Sequence, residues 1–337
     1  MSDNLFGRLE VARRAAAGQR GLVEVKQLEL AGISRFGISR LVRAGLLHPV
    51  LPRVWRFGNV LMNEPARMTA ALLSFPDAVF SHGTALRLHG LDTLSNRIEL
   101  TRPRRTHAQD GYTFHRSIVL PEAREVIDHL PVTKLRRTLF DVAATGTLEQ
   151  LAVAIESAWR LNLLNPARWL AQLKDRSRTR FPAPPQLIRV LRDARRRTRP
   201  LDSALEVLFL YRGRAFGLPE PVLKARCVDD YGQPLEPDFS WPNRRVVVET
   251  MGFEVHGTRE AFEQDAFRVL RLAAAGYTVV PITWRMLERG DQVFALIQKV
   301  LRSHPLRRWR RIVYDAMEIP LRTLPPEVRM SVEALTG

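Results

Sequence analysis

Residues 235–252 read LEPDFSWPNRRVVVETMG. Two short runs, 235–241 and 245–249, flank the turn-forming pair Pro242-Asn243, so the stretch predicts a β-hairpin. Val246, Val247 and Val248 stand in a row without polar alternation. That predicts a strand buried on both faces and central in its sheet. Gly252 closes it. Toward the N-terminus, residues 201–210 predict a helix carrying Glu206 among apolar neighbours, 224–228 a strand, and Gly232-Gln233 a turn. Toward the C-terminus, Thr258 caps a predicted helix over 259–275, which Gly276 stops. A strand over 277–283 and a helix over 292–301 complete an α–β–β–β–α–β–α order.

That order puts Asp238 in one strand and Glu249 near the end of the next. The hairpin can bring the two carboxylates together, and Glu206 on the helix can supply a third oxygen. Carboxylates crowded at one point repel and lose solvation unless something neutralises them. A hard cation, Mg²⁺ or Mn²⁺, does so and can activate water against a phosphodiester. The same residues admit a structural role, with Glu206 paired to an arginine and Asp238 capping a turn. Asp238 and Glu249 oxygens within about 5 Å, with Glu206 near, would fit a cation, whereas scattered carboxylates would not.

The second half resembles the PD-(D/E)XK nuclease superfamily, and more closely domain of unknown function 559, a relative of very-short-patch repair endonucleases. The residues that carry the resemblance begin with Ser203-Ala204-Leu205-Glu206, Pro237-Asp238-Phe239, Val248-Glu249 with Gly252, and His256. They continue through Phe262, Asp265, Arg268, Ala275-Gly276-Tyr277 and Ile282-Thr283-Trp284. The resemblance implies a restriction-endonuclease-like fold with Glu206, Asp238 and Glu249 as metal ligands and catalytic groups. It implies an acid–base or leaving-group role for His256. The chain departs from it at Glu249-Thr250-Met251-Gly252. Met251 stands where such domains carry an aspartate or a lysine, and it can neither hold a hard metal nor act as that lysine. Asp265, Arg268 or His256 are the residues that could compensate; without compensation the site is degenerate.

The first 58 residues predict a winged helix-turn-helix. Helices are expected over 5–17, 25–30 and 35–44, the last capped by Ser34 and closed by Gly45. Ile38, Leu41 and Val42 form its apolar stripe, leaving Arg35, Ser39, Arg40 and Arg43 to face elsewhere. Residues 50–57 alternate like a strand and carry Arg53 and Arg56, as a wing would. A helix of this size fits the major groove, with basic side chains against phosphates; the alternative is a small helical domain with a solvated arginine face. Farther on, 81–90 reads as a helix begun by Ser81, with His82 and His89 seven apart, a weak metal signal and more simply a capping or packing pair. Residues 97–100 and 112–115 read as strands, and Thr133 as the cap of a helix with Leu135, Leu139 and Val142 inward. These segments resemble the AbiEi-type antitoxins, through Gly21-Leu22-Val23, Gly32, Arg53-Val54-Trp55-Arg56, Ser81-His82, His89-Gly90, Val132-Thr133, Arg137-Thr138-Leu139 and Asp141. Phe57-Gly58 after Arg56 replaces the usual wing tip. The resemblance implies double-stranded DNA as partner and autoregulation, with a toxin as a possible second partner.

The sequence therefore predicts a multidomain α/β chain of 337 residues. Its expected parts are a winged helix-turn-helix (1–58), a middle α/β domain (60–165), a basic linker (166–200), an endonuclease-like domain (201–303) and a basic, Pro-rich extension (304–337). Lys and Arg number 52 against 35 acids, a net charge of +17 that favours a polyanionic partner. The excess is patchy. Residues 1–60 hold ten bases against four acids, and 168–199 hold eleven against two. One cysteine, Cys227, excludes an intrachain disulfide framework and a Cys-rich zinc site. No long apolar run and no signal-like start appear, so a cytoplasmic protein is expected. Three functions remain open: a metal-dependent DNA endonuclease, a DNA-binding antitoxin-like regulator with a non-catalytic nuclease fold, and a non-enzymatic interaction protein.

Overall fold

A computed structural model describes residues 3–58, 60–119, 121–174, 183–229, 232–251 and 259–304, apart from the side chains of 3–6, 174, 259–262 and 265. The chain divides between Pro200 and Leu201 into two compact units, each mixing helices and strands.

The first unit opens with α1 (Asp3–Ala17), β1 (Leu22–Glu24), α2 (Val25–Leu30), α3 (Arg35–Arg43), β2 (Leu47–Leu51) and β3 (Val54–Phe57). Ser34 caps α3 by accepting from the Gly37 N–H, and Gly45, at φ 70, follows its end. Residues 50–57, expected as one strand, belong instead to an antiparallel hairpin, because the chain reverses at Pro52-Arg53, with Arg53 left-handed at φ 66. β1 is a strand that helical periodicity did not announce; it pairs with β3, giving the sheet order β1-β3-β2.

The chain continues through α4 (Glu64–Ser74), β4 (Val79–Phe80), α5 (His82–Leu88), β5 (Ile98–Arg102), β6 (Tyr112–Arg116), β7 (Arg124–Ile127) and β8 (Leu130–Thr133). The second sheet runs β6-β5-β4-β8-β7 and mixes parallel and antiparallel pairs. Four helices follow, α6 (Leu135–Thr145), α7 (Leu148–Arg160), α8 (Pro166–Lys174) and α9 (Pro185–Ala194). Leu22, Leu51 and Val54 from the N-terminal segment lie in the same buried cluster as Met68, Phe80, Leu100 and Val132. The front segment and the five-stranded sheet thus share a core. Residues 166–200, expected as a linker, contain α8 and α9 packed on their neighbours. Leu187, Val190, Leu191 and Ala194 supply the reason: they form one buried stripe at helical spacing. Arg197 then bonds the fully buried Glu156 of α7. Lys134, not Thr133, stands at the N-cap of α6, because Thr133 ends β8.

The second unit comprises α10 (Ala204–Phe216), β9 (Val222–Leu223), β10 (Cys227–Val228), β11 (Pro234–Leu235), β12 (Phe239–Trp241), β13 (Val246–Met251), α11 (Arg259–Ala274), β14 (Thr278–Thr283), α12 (Trp284–Glu288) and α13 (Asp291–Ser303). Its main sheet is ordered β14-β13-β12-β9, with β13 parallel to β14 and antiparallel to β12. Val246, Val247 and Val248 are wholly buried, as their lack of alternation predicts for a central strand. The strands are shorter than expected. Lys224, left-handed at φ 45, breaks the 224–228 run, and Asp238 sits just before β12 rather than within it. The predicted 304–337 extension lies outside the described residues beyond His304.

Candidate functional site

In the second unit, Ser203 caps α10 by accepting from the Glu206 N–H, which fixes Glu206 in the first helical turn. Its carboxylate is almost fully buried and accepts from the Asp202 N–H at 3.1 Å. Asp238, at the mouth of β12, accepts from the Thr250 N–H at 2.8 Å and from its hydroxyl at 2.6 Å. Between these two acids lies Lys224. Its Nζ is 2.5 Å from Asp238 Oδ1, 2.9 Å from Asp202 Oδ2 and 3.1 Å from Glu206 Oε1. Glu249, on central β13, faces a different cation: Arg268 of α11 donates to it from Nε at 2.9 Å.

Burial, reinforced by the Asp238 charge, pushes Glu206 and Glu249 each from 4.5 up to about 7. The surrounding carboxylates hold Lys224 well above the usual lysine range, against the effect of its burial. Four acids, Asp202, Glu206, Asp238 and Glu249, therefore meet two bases, Lys224 and Arg268. The donor chemistry suits a hard cation; the geometry does not. Among the described residues, one group of three His, Cys, Asp or Glu side chains brings its ligand atoms within 4.8 Å of one another, and it is not Glu206, Asp238 and Glu249. Lys224 is bonded to both Glu206 and Asp238. As arranged, the three predicted ligands are engaged by protein cations, Glu206 and Asp238 by Lys224 and Glu249 by Arg268. Met251 ends β13 half-buried, opposite Thr283. His256 lies outside the described residues, as does the side chain of Asp265. Lys224 is the participant that sequence reasoning missed. Nothing in Val222-Leu223-Lys224-Ala225 distinguishes it from a strand residue until the φ 45 turn aims it back at α10.

In the first unit, α3 buries Ile38 and Leu41 and exposes Arg35, Phe36, Ser39, Arg40 and Arg43. Phe36 keeps 73% of its surface exposed, unusual for an aromatic on a short helix. Among the described residues none of the three arginines is paired with an acid; Arg43 Nε donates to the Ser39 carbonyl at 3.4 Å. The two arginines of the predicted wing, Arg53 and Arg56, both bond backbone carbonyls. Arg53 donates to the Ser74 carbonyl at 2.9 Å, and Arg56 to the carbonyls of Gly58 and Val60 at 2.7 and 3.0 Å. Both guanidiniums tie the hairpin to its own unit.

The group that does converge is His82, Glu99 and His115, from α5, β5 and β6. His82 stacks on His115 at 3.5 Å between ring centroids, and burial lowers both, His82 to about 3. His89, which sequence spacing set beside His82, goes instead to the Thr133 carbonyl at 2.9 Å. Seven residues on a helix this short carry the two histidines to different neighbours, where His82 packs in a ring stack and His89 bonds the end of β8. Among the described residues no helix is long and apolar enough to cross a membrane. No protein-family model matches the chain, and no curated protein matches its sequence.

Proposed function

We propose that this chain is a duplex-DNA-binding regulator of the cytoplasm. In this reading α1 to β3 work as a winged helix-turn-helix with α3 in the major groove. The second unit carries a restriction-endonuclease-like fold whose carboxylates are neutralised from within. The observation that carries the reading is the exposed face of α3, where Arg35, Arg40 and Arg43 stand without acidic partners among the described residues and flank the exposed Phe36. Three arginines on one rim suit phosphates, and an aromatic ring suits the apolar edge of a thymine. The element order and the β1-β3-β2 sheet support the winged arrangement. Self-neutralisation by Lys224 and Arg268 supports a second unit that does not hydrolyse DNA.

The test is duplex binding by the full chain across a salt series. The parent should bind with an affinity that falls steeply with salt. The triple exchange of Arg35, Arg40 and Arg43 to alanine should bind weakly. Its log–log salt slope should be shallower by about 2.7, because three phosphates then keep their counterions. A triple variant that binds as the parent does removes α3 from the interface.

One observation favours a second reading, a divalent-metal-dependent endonuclease. Two cations serve four carboxyls, and burial pushes Glu206 and Glu249 up to about 7. Such a cluster retains appetite for positive charge. Nicking of supercoiled plasmid that requires Mg²⁺ or Mn²⁺ and vanishes in Asp238→Ala would establish it and displace the regulator reading.

A further inference from the structure

The first unit holds a cluster that DNA binding does not use. We propose that His82, Glu99 and His115 form a binding site for a first-row divalent metal ion of the zinc class. Each offers one ligand atom, and the three atoms lie within 4.8 Å of one another. They come from three separate elements, α5, β5 and β6, so tertiary structure rather than local sequence assembles them.

The surroundings are built for that role. His115 Nε2 is buried and has no hydrogen-bond partner among the described residues, a state that native structures seldom leave unexplained. His82 commits Nδ1 to Ser81 Oγ at 2.9 Å, which leaves Nε2 as its donor atom. Ser81 Oγ is fixed in turn by the Thr101 hydroxyl at 2.8 Å. An outer hydrogen bond of this kind orients a ligating imidazole and selects its tautomer. The backbone of His82 is left-handed at φ 49, a conformation uncommon outside glycine. Glu99 is also held: Oε2 accepts from the Gly83 N–H at 2.6 Å and Oε1 from the Ser95 hydroxyl at 2.9 Å. Each oxygen keeps a further lone pair. Gly83 is required for this closure, because a Cβ there would meet Ser95 Cβ at 2.7 Å and Glu99 Oε2 at 3.2 Å.

The Arg137 charge acts on His82 but its guanidinium is engaged elsewhere, with Nε bound to Asp141 at 2.8 Å and Nη2 to Ser117 Oγ at 3.1 Å. Two imidazoles and one carboxylate favour Zn²⁺, Co²⁺ or Ni²⁺ over Mg²⁺, and three protein ligands leave a coordination position for water or a substrate. The rings are stacked at 13° between planes, and nearly parallel rings cannot both aim a lone pair at one ion. Capture of the metal therefore tilts one ring out of the stack.

The experiment uses the full chain, stripped with a chelator and titrated with Zn²⁺ by calorimetry, with Co²⁺ absorption reporting the ligands. Mg²⁺ serves as the control ion. His115→Phe keeps the ring stack and removes both nitrogens; Glu99→Gln removes the charge. The parent should bind one Zn²⁺ per chain in preference to Mg²⁺. Both variants should bind at least about tenfold more weakly, since even outer-shell changes cost that much. His115 lies on the edge strand β6, and circular dichroism verifies that each variant is folded. Parent protein without saturable Zn²⁺ binding overturns the proposal. So does folded His115→Phe with undiminished affinity, and should that variant not fold, undiminished affinity in Glu99→Gln does the same.

Discussion

Lys224→Met asks whether the second unit is neutralised by its own ammonium. The side chain is mostly buried and bonded to Asp238, Asp202 and Glu206. Deleting one partner of a buried ion pair leaves uncompensated charge and costs about 3–5 kcal/mol. The cost depends on pH in a definite direction. Glu206 and Glu249 sit at about 7 in the folded protein against 4.5 when unperturbed, so the folded state holds protons that the unfolded chain has already released. The contribution of these two carboxyls to stability is therefore highest below about 4.5 and declines as pH rises to about 7, by about 3 kcal/mol for one such carboxyl. Lys224 itself, raised far above neutrality, stays protonated over that window. Without the ammonium, Glu206 rises further and takes up a proton more readily. The substitution should thus cost about 3–5 kcal/mol at about pH 8 and less than half of that at about pH 5. Urea unfolding of the full chain, followed by tryptophan fluorescence and circular dichroism, reads the difference from the transition that the substitution moves. A loss under about 1 kcal/mol at both pH values, the size of an exposed ion pair, refutes the reasoning.

Further outcomes follow from other contacts. Arg197→Ala should destabilise the first unit by about 1.5–3 kcal/mol in thermal unfolding, because it removes charged hydrogen bonds to the fully buried Glu156 carboxylate; the double exchange with Glu156→Gln should recover part of that loss. Ser34→Ala removes the side-chain acceptor for the Gly37 N–H and should cost about 1 kcal/mol in urea unfolding. Phe36→Ala should leave the melting temperature unchanged, since the ring is exposed, while weakening duplex binding in an anisotropy titration. Lower affinity accompanied by a lower melting temperature would assign Phe36 to packing instead.

The elements that could be read from sequence are those with local chemistry of their own. Ser34 and Gly45 bracket α3 because capping and a left-handed stop are local requirements. Val246 to Val248 announce a central strand because no polar face is offered. The hairpin at Pro52-Arg53 was hidden by an alternation that continues across the reversal. The helices α8 and α9 were hidden by arginines, whose charge drew attention from the stripe at Leu187, Val190, Leu191 and Ala194. The site residues divide in the same way. Glu206, Asp238 and Glu249 stand on elements whose order was readable, and the structure draws the first two to a common lysine. Lys224 enters through a backbone turn and His115 through pairing of two parallel strands, relations that spacing along a chain does not encode.

Leu22, Leu51 and Val54 bury themselves with Phe80 and Leu100, so the front segment, which keeps a core of its own around Leu28, Ile38 and Leu47, also shares a second interior with the sheet. Cutting the gene after Gly58 would open that interior on both products. Evolution faces the same obstacle: exchanging the α1–β3 segment as a cassette between proteins uncovers apolar surface unless the sheet beneath it travels too. Changes accumulating beneath β2 and β3 are then inherited as changes in how the front segment sits on the sheet, which couples the drift of one part of the gene to the placement of another.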